Sequence, residues 1–223
     1  MTHDLTNLRI EHAVSTLRSA GARDVDDYEH KLQQNAPNPT QVINHLSEAR
    51  VALMFLENGA QVTMRDRPDL KVEWLGELFY AEVKHFRRTP QDELDEAALK
   101  GANGDFVAVG DPGLRYKEMC AVARKKKNQY IENALNILAI DSSSDAILPA
   151  DAMARSAAAE YDNELRKTPQ DLALQRLNGI MLISAWGSVG SNLRNVAFAS
   201  TKHALLWPRD YRFFEALDAI GRG

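Results

Sequence analysis

Residues 68–84 read PDLKVEWLGELFYAEVK, and this stretch decides the fold. Residues 70–75 and 78–86 form two short segments rich in Val, Phe, Tyr and Trp, a composition typical of β-strands. Gly76 and Glu77 lie between the two segments and predict the turn of a hairpin. Residues 61–64 form another short segment of this kind just before the hairpin. The sequence therefore predicts three consecutive strands.

Two acidic residues and a lysine are predicted to meet at one end of this hairpin. Side chains alternate across a strand, so Glu82 and Lys84 share one face while Val83 lies on the other. A hairpin returns the end of its second arm to the start of its first, where Asp69 is placed. We therefore expect Asp69, Glu82 and Lys84 to converge, with nearby Asp66 as an alternative to Asp69.

Two carboxylates and an ammonium at one point predict a specific chemistry. Close carboxylates repel each other unless a cation lies between them. Mg²⁺ or Mn²⁺ prefers oxygen ligands and keeps water ligands that phosphate can replace. Such an ion polarises a phosphoryl oxygen and lowers the pKa of a bound water, while Lys84 can orient that water or stabilise the developing charge. Asp69 and Glu82 are the expected metal ligands of a phosphodiester-cleaving site.

Helical and strand patterns alternate on both sides of the hairpin. Upstream, apolar residues recur at helical spacing over 4–20 and again from Thr40, a candidate N-cap, to the Asn58-Gly59 stop. Two prolines close the polar stretch 24–39 between those helices. Downstream, the patterns predict the following order: helix 89–100, a glycine-rich loop 101–113, helix 116–132, strand 136–140, helix 150–166, strand 179–186, strand 197–200 and a short helix through Phe213. This mixture predicts an α/β sheet with helices on its faces.

The motif Pro68-Asp69 followed by Glu82-Val83-Lys84 resembles that of the PD-(D/E)xK nuclease superfamily, which has the restriction-endonuclease-like fold. The resemblance covers roughly residues 41–142. It implies that Asp69 and Glu82 bind the metal and that Lys84 assists the attacking water. It further implies that Glu48 adds a third acidic ligand from the preceding helix, although a surface position for Glu48 is the alternative.

The helix after the hairpin supplies the remaining catalytic candidate. Family members often carry a basic or glutamine residue there, and Lys125 and Gln129 are four residues apart on the predicted helix. We therefore expect Lys125 and Gln129 to form an inward pair, with Gln129 supporting catalysis.

The resemblance also sets the expected organisation of the chain. Residues 1–38 are expected to form an N-terminal helical extension. Residues 39–223 are expected to form a single nuclease-like α/β domain with its core at 41–142 and a C-terminal α/β elaboration. The expected function is that of a Mg²⁺- or Mn²⁺-dependent nuclease acting on nucleic acid, with DNA favoured. The alternative is a non-catalytic domain of this fold that serves as a nucleic-acid or protein binding or assembly module.

Net charge argues against a surface that binds nucleic acid everywhere. The 223 residues contain 27 Lys and Arg against 31 Asp and Glu, a net charge of −4. The positive charge is concentrated in a run over 124–127 and just after Lys84. Expected phosphate contacts are Arg124, Lys125, Lys126 and Arg87. A solvated helix face is the alternative for the run, since consecutive residues point around a helix.

Cysteine content and hydropathy bear on location and partners. Cys120 is the single cysteine, so no internal disulfide can form. The sequence has no apolar stretch that approaches the roughly 18 residues of a membrane span and begins without a signal-peptide pattern, so we expect a cytoplasmic protein.

A homodimer is one hypothesis, because cutting both strands of a duplex commonly needs two active sites. The terminal regions could instead contact a partner protein.

Overall fold

The computed structural model describes residues 2–86, 112–142, 150–185 and 194–220. Arg87, the predicted helix 89–100 and residues 101–111 of the predicted loop lie outside these ranges. The described residues form six α-helices, whose bounds are α1 Thr2–Ser19, α2 Val25–Asn35, α3 Pro39–Glu57, α4 Pro112–Lys125, α5 Ala150–Lys167 and α6 Arg212–Ala219. They also form six strands, whose bounds are β1 Gln61–Met64, β2 Leu70–Trp74, β3 Glu77–His85, β4 Leu135–Asp141, β5 Gly179–Ala185 and β6 Arg194–Ser200.

The six strands form one open mixed sheet in the order β1-β2-β3-β4-β5-β6. The first three strands are antiparallel, β3, β4 and β5 are parallel to one another, and β6 returns antiparallel to β5. Parallel neighbours need crossover connections, and α4 and α5 lie in the two connections that separate β3, β4 and β5. The predicted α/β class and the predicted hairpin are confirmed, but the turn is Leu75-Gly76 rather than Gly76-Glu77, because Glu77 already pairs with Trp74 as the first residue of β3.

Alternate residues of the central strands pack into two apolar clusters, one on each face of the sheet. In β4, Ile137 and Ala139 pack with the cluster that contains α1, α2, α3 and α6, whereas Leu138 and Ile140 pack with the cluster that contains α4 and α5. Burial on both faces explains why β4 is apolar along almost its whole length. The arrangement is a three-layer α/β sandwich.

The N-terminal helices belong to the same core as the rest of the chain. Leu17 of α1 and Leu32 of α2 are fully buried in the apolar cluster that also contains Phe55 of α3 and Val62 of β1. A helix was not predicted between 24 and 39, although Val25, Tyr28 and Leu32 have helical spacing and are the buried face of α2. Residues 2–35 therefore brace α3 from one side.

The start of α3 differs from the prediction. Asn38 is the N-cap, and its side chain accepts a hydrogen bond from the backbone N–H of Gln41 at 3.3 Å. Pro39 takes the first helical position, where its missing N–H costs nothing, so Thr40 is already helical and the N-cap prediction was wrong.

Among the described residues, the helices include none that is both long and apolar enough to cross a bilayer.

Candidate active site

The hairpin places Asp69 beside the end of β3, as predicted. Leu70 pairs with Ala81, so Asp69 falls next to Glu82 in the register. The Asp69 Oδ2 atom accepts a hydrogen bond from the backbone N–H of Val83 at 2.7 Å. This bond ties Asp69 to the backbone between Glu82 and Lys84 and fixes the carboxylate at the end of the hairpin.

Glu48 joins this site from α3, so the hypothesis that it is a surface residue is wrong. It is 5% exposed, and its Oε1 atom lies 2.8 Å from Nδ1 of His45. Its Oε2 atom lies 3.2 Å from the Nζ atom of Lys31, which in turn lies 3.8 Å from Oδ1 of Asp69. One ammonium therefore bridges the carboxylates of α3 and of the hairpin.

Glu82 is the most deeply buried acid of the site. It is 2% exposed, and its Oε1 atom accepts a charged hydrogen bond from Lys126. The Glu82 Oε2 atom is buried and has no hydrogen-bond partner among the described residues. A buried carboxylate oxygen without a partner is costly, which is the expected state of a ligand atom without its cation. We call Glu48, Asp69 and Glu82, with Lys31 and Lys126, the carboxylate cluster.

The acids of this cluster affect one another electrostatically. Burial raises the pKa of Asp69 well above its usual value, and the charges of Glu48 and then Glu82 raise that pKa further. Burial also raises the pKa of Glu82, and the charge of Lys126 opposes that rise. The raised pKa of Asp69 means that a proton or a further cation on this carboxylate is favoured.

Lys84 lies on the strand next to Glu82, two residues further along. It is half-buried, and the intervening Val83 packs into the apolar cluster beneath α3. Strand alternation therefore places Lys84 on the same face as Glu82. The register and the Val83 N–H bond bring Asp69 beside Glu82, whereas the convergence of Lys84 with them stays a prediction.

The basic run after the hairpin is arranged differently from the prediction. Helix α4 ends at Lys125, and a 3₁₀ turn spans Lys127–Gln129, so Lys125 and Gln129 do not share a helix face. Lys125 is exposed, and Lys126 is the residue that reaches the site. The prediction that Lys125 points inward with Gln129 was therefore wrong. The side-chain oxygen of Gln129 is buried and has no partner among the described residues.

The two outer members of the run make salt bridges. Arg124 lies 2.9 Å from Glu164 of α5, and Lys127 bonds to Asp171. These pairs hold the end of α4 against its neighbours, in agreement with the solvated-face alternative for two of the four residues. Contacts of Arg124, Lys125 and Lys126 with phosphate stay predictions.

Sequence reasoning did not single out Lys31, one of the two lysines of the cluster. Lys31 lies in α2, within the polar stretch 24–39 for which no helix was predicted. The helical spacing of Val25, Tyr28 and Leu32 was the signal that could have predicted α2 and placed Lys31 on it.

The donors of the cluster suit a hard divalent ion by chemistry. All are carboxylate oxygens, and one of them, Glu82 Oε2, lacks a hydrogen-bond partner among the described residues. The same part of the chain contains no group of three or more acidic, histidine or cysteine side chains placed closely enough to hold an ion as they stand. The ammonium group of Lys31 contacts Glu48 and lies near Asp69, and that of Lys126 contacts Glu82.

Comparison of the chain with protein-family models, with curated proteins and with solved structures finds no match in any of the three.

Proposed function

We propose that this protein is a metal-dependent nuclease that hydrolyses phosphodiester bonds, with DNA as the favoured substrate, on a restriction-endonuclease-like sheet. One observation carries the proposal. Three buried carboxylates, one each from α3, from the residue before β2 and from β3, lie close enough to affect one another electrostatically, and one of their oxygens lacks a hydrogen-bond partner among the described residues. Burying this excess of negative charge costs stability, and a cation-binding role explains why the chain tolerates it.

Each residue has a distinct task in the proposed reaction. Asp69 and Glu82, with Glu48, would hold Mg²⁺ or Mn²⁺, which when bound polarises the phosphoryl oxygen and acidifies a water ligand. The Val83 N–H fixes the orientation of Asp69. Lys84 stabilises negative charge on the phosphate or orients the attacking water. Gln129, in the 3₁₀ turn that follows α4, would support the site.

The arrangement of elements supports the same proposal. A helix with a glutamate, a three-stranded antiparallel unit, a helix and a parallel strand follow one another along the chain. This order is the one that the resemblance to PD-(D/E)xK nucleases leads us to expect. Exposed Lys125 and Arg124 lie on the same helix-to-turn segment as Lys126 and are candidates for contacts with the substrate backbone.

The test is cleavage of plasmid DNA, single-stranded DNA and RNA with Mg²⁺ or Mn²⁺. We expect the wild-type protein to cut, and Asp69→Asn and Lys84→Ala each to lose on the order of 10²-fold or more in rate. Glu11→Gln, on an exposed acid of α1, is the control for the loss of acidic charge at Asp69. Lys167→Ala, on an exposed salt bridge of α5, is the control for Lys84. Cleavage that survives both site substitutions would contradict the proposal.

A non-catalytic binding module is the second candidate function. The observation in its favour is that Lys31 and Lys126 already neutralise part of the carboxylate cluster. A domain that uses these pairs only for packing would bind nucleic acid without cutting it. Retention of labelled DNA in a gel-shift assay, with no cleavage in either metal, is the result that this candidate predicts.

A further inference from the structure

Lys31 is the cation that joins the carboxylates of α3 and of the hairpin. Its Nζ atom lies 3.2 Å from Glu48 Oε2 and 3.8 Å from Asp69 Oδ1. The exposed Asp66 also lies 3.8 Å from this ammonium. The Lys31 side chain is 21% exposed, so the charge is largely withdrawn from water and its carboxylate partners replace the lost hydration.

The packing of α2 on α3 determines the position of the Lys31 side chain. Tyr28 lies one helical turn before Lys31, is buried, and donates a hydrogen bond through its hydroxyl to the backbone carbonyl of His45. His45 lies in α3 one turn before Glu48 and contacts the Glu48 carboxylate. The two helices are therefore held in a register that aligns Lys31 with Glu48.

Lys31 also faces a cleft that leads to solvent. The cleft has a volume of about 400 Å³ and lies between α2 and the end of β1, where Lys31, Gln34, Arg65 and Asp66 contribute to its lining. The ammonium therefore borders the open cleft on one side and the buried acids on the other. Lys31 lines this cleft, whereas Glu48 and Asp69 do not.

We propose that Lys31 is a positioning residue that holds Glu48 and Asp69 together without metal and competes with the divalent ion for their oxygens. This inference rests on the proposed function, because it assigns a role toward the same metal site. An ammonium and a divalent cation on the same oxygens repel each other, so the lysine must withdraw for the ion to bind. Lys31 thus sets the metal affinity, and the N-terminal helices are part of the active centre.

The experiment is a titration of the full chain with Mn²⁺ at pH 8, in which electron paramagnetic resonance counts the free ion. We expect Lys31→Met and Lys31→Gln to bind Mn²⁺ about tenfold more tightly than the wild type, a change of about 1.4 kcal/mol. Lys31→Arg retains the charge and should bind like the wild type. Lys167→Met, which removes an exposed lysine of α5, is the control for loss of charge alone.

Thermal melting supplies a second readout. Without metal, Lys31→Met should melt at a lower temperature than the wild type, because Glu48 and Asp69 then repel each other unopposed. Mn²⁺ should raise the melting temperature of the variant more than that of the wild type, since tighter binding to the folded state stabilises it more. Lys31→Gln keeps a hydrogen-bond donor and preserves the test if Lys31→Met folds poorly.

The outcomes separate this inference from the proposed function. Wild-type binding with no gain in either neutral variant would overturn the role of Lys31 and leave the metal site standing. Absence of binding in the wild type and in both variants would overturn the metal site together with this inference. Mn²⁺ binding that appears only when Lys31 is replaced would support this inference, because the lysine would then exclude the ion from the wild-type site.

Discussion

Two buried polar clusters lie on neighbouring turns of α3, and they handle charge in opposite ways. The first is the carboxylate cluster around Glu48. The second, which we call the Arg50 cluster, consists of Ser47, Arg50, His85 and Asp141. Both connect α3 to the ends of central strands, and both bury acidic side chains.

The Arg50 cluster balances its buried acid. Asp141 is completely buried, and its Oδ2 atom accepts a hydrogen bond from Nε of Arg50 at 2.8 Å. The same guanidinium donates to Ser47, whose hydroxyl lies 3.1 Å from Nδ1 of His85. The guanidinium of Arg50 meets the Asp141 carboxylate in good geometry, which is the arrangement of a structural ion pair.

The carboxylate cluster has three buried acids against two ammonium groups and leaves Glu82 Oε2 without a hydrogen-bond partner among the described residues. Both clusters are buried, so burial does not separate structural from functional charge. The separating features are the mutual repulsion of the acids, which adds to the effect of burial in raising the pKa of Asp69, and the Glu82 oxygen that has no hydrogen-bond partner among the described residues. We therefore expect removal of the Arg50 charge to destabilise the protein, whereas removal of an acidic charge from the carboxylate cluster should stabilise it.

The largest expected effect is in the Arg50 cluster. Arg50→Met leaves the Asp141 carboxylate buried without its guanidinium and should lower the free energy of unfolding by about 3 kcal/mol. Urea denaturation monitored by circular dichroism measures this loss. Arg155→Met is the control, because its pair with Asp151 is exposed and should cost less than about 1 kcal/mol. A loss as small as that of the control would remove the contrast between the two clusters.

The second-largest expected loss of stability distinguishes Lys126 from its neighbour Lys125. Lys126→Met removes the counter-ion of buried Glu82 and should cost about 2 kcal/mol in the metal-free protein. Lys125→Met is the matched control on the neighbouring, exposed residue and should change stability by less than about 0.5 kcal/mol. Equal losses from the two substitutions would contradict the placement of Lys126 on Glu82.

Neutralising an acid of the carboxylate cluster should stabilise the protein. Asp69→Asn keeps an oxygen that can accept the Val83 N–H but removes a buried charge next to Glu48 and Glu82. We expect the metal-free variant to gain on the order of 1 kcal/mol at pH 8 while losing cleavage. Glu11→Gln is the control on an exposed acid of α1 and should give no gain. A destabilised Asp69→Asn would indicate that the cluster is structural.

The smallest effect is a difference in pH dependence. The folded pKa of Asp69 lies well above the unfolded value of 3.8, so between these two values the folded state binds more protons than the unfolded state. Wild-type stability without metal should therefore fall as pH rises through this window. Asp69→Asn should lack that part of the decline, as a series of urea denaturations at stepped pH can show. Parallel curves for the two proteins would contradict the raised pKa.

The sequence predicted the sheet and the hairpin end of the site, but it did not predict the counter-ions. Strand alternation alone placed Glu82 and Lys84 on one face, and hairpin closure placed Asp69 beside them. These are local rules, and they hold here because β2 and β3 are joined by a two-residue turn. Glu48 followed from the resemblance, and its burial depends on tertiary packing.

The errors have physical causes that can be named. Lys126 replaces Lys125 because α4 ends at Lys125 and tightens into a 3₁₀ turn, and a shift of one residue rotates a side chain by about 100°. Lys31 was missed because its contacts join residues 17 and 38 positions apart in the chain. The Asn38-Pro39 cap was readable from the sequence, since asparagine before a proline at the first helical position is a recognised start signal.

The most direct test of the metal site is anomalous diffraction from crystals of the protein soaked in Mn²⁺. The account predicts one strong anomalous peak about 2.2 Å from Glu82 Oε2 and from a carboxylate oxygen of Asp69, with Lys31 displaced from Glu48. Crystals that bind Mn²⁺ only elsewhere, with Lys31 and Lys126 still bonded to their carboxylates, would contradict it.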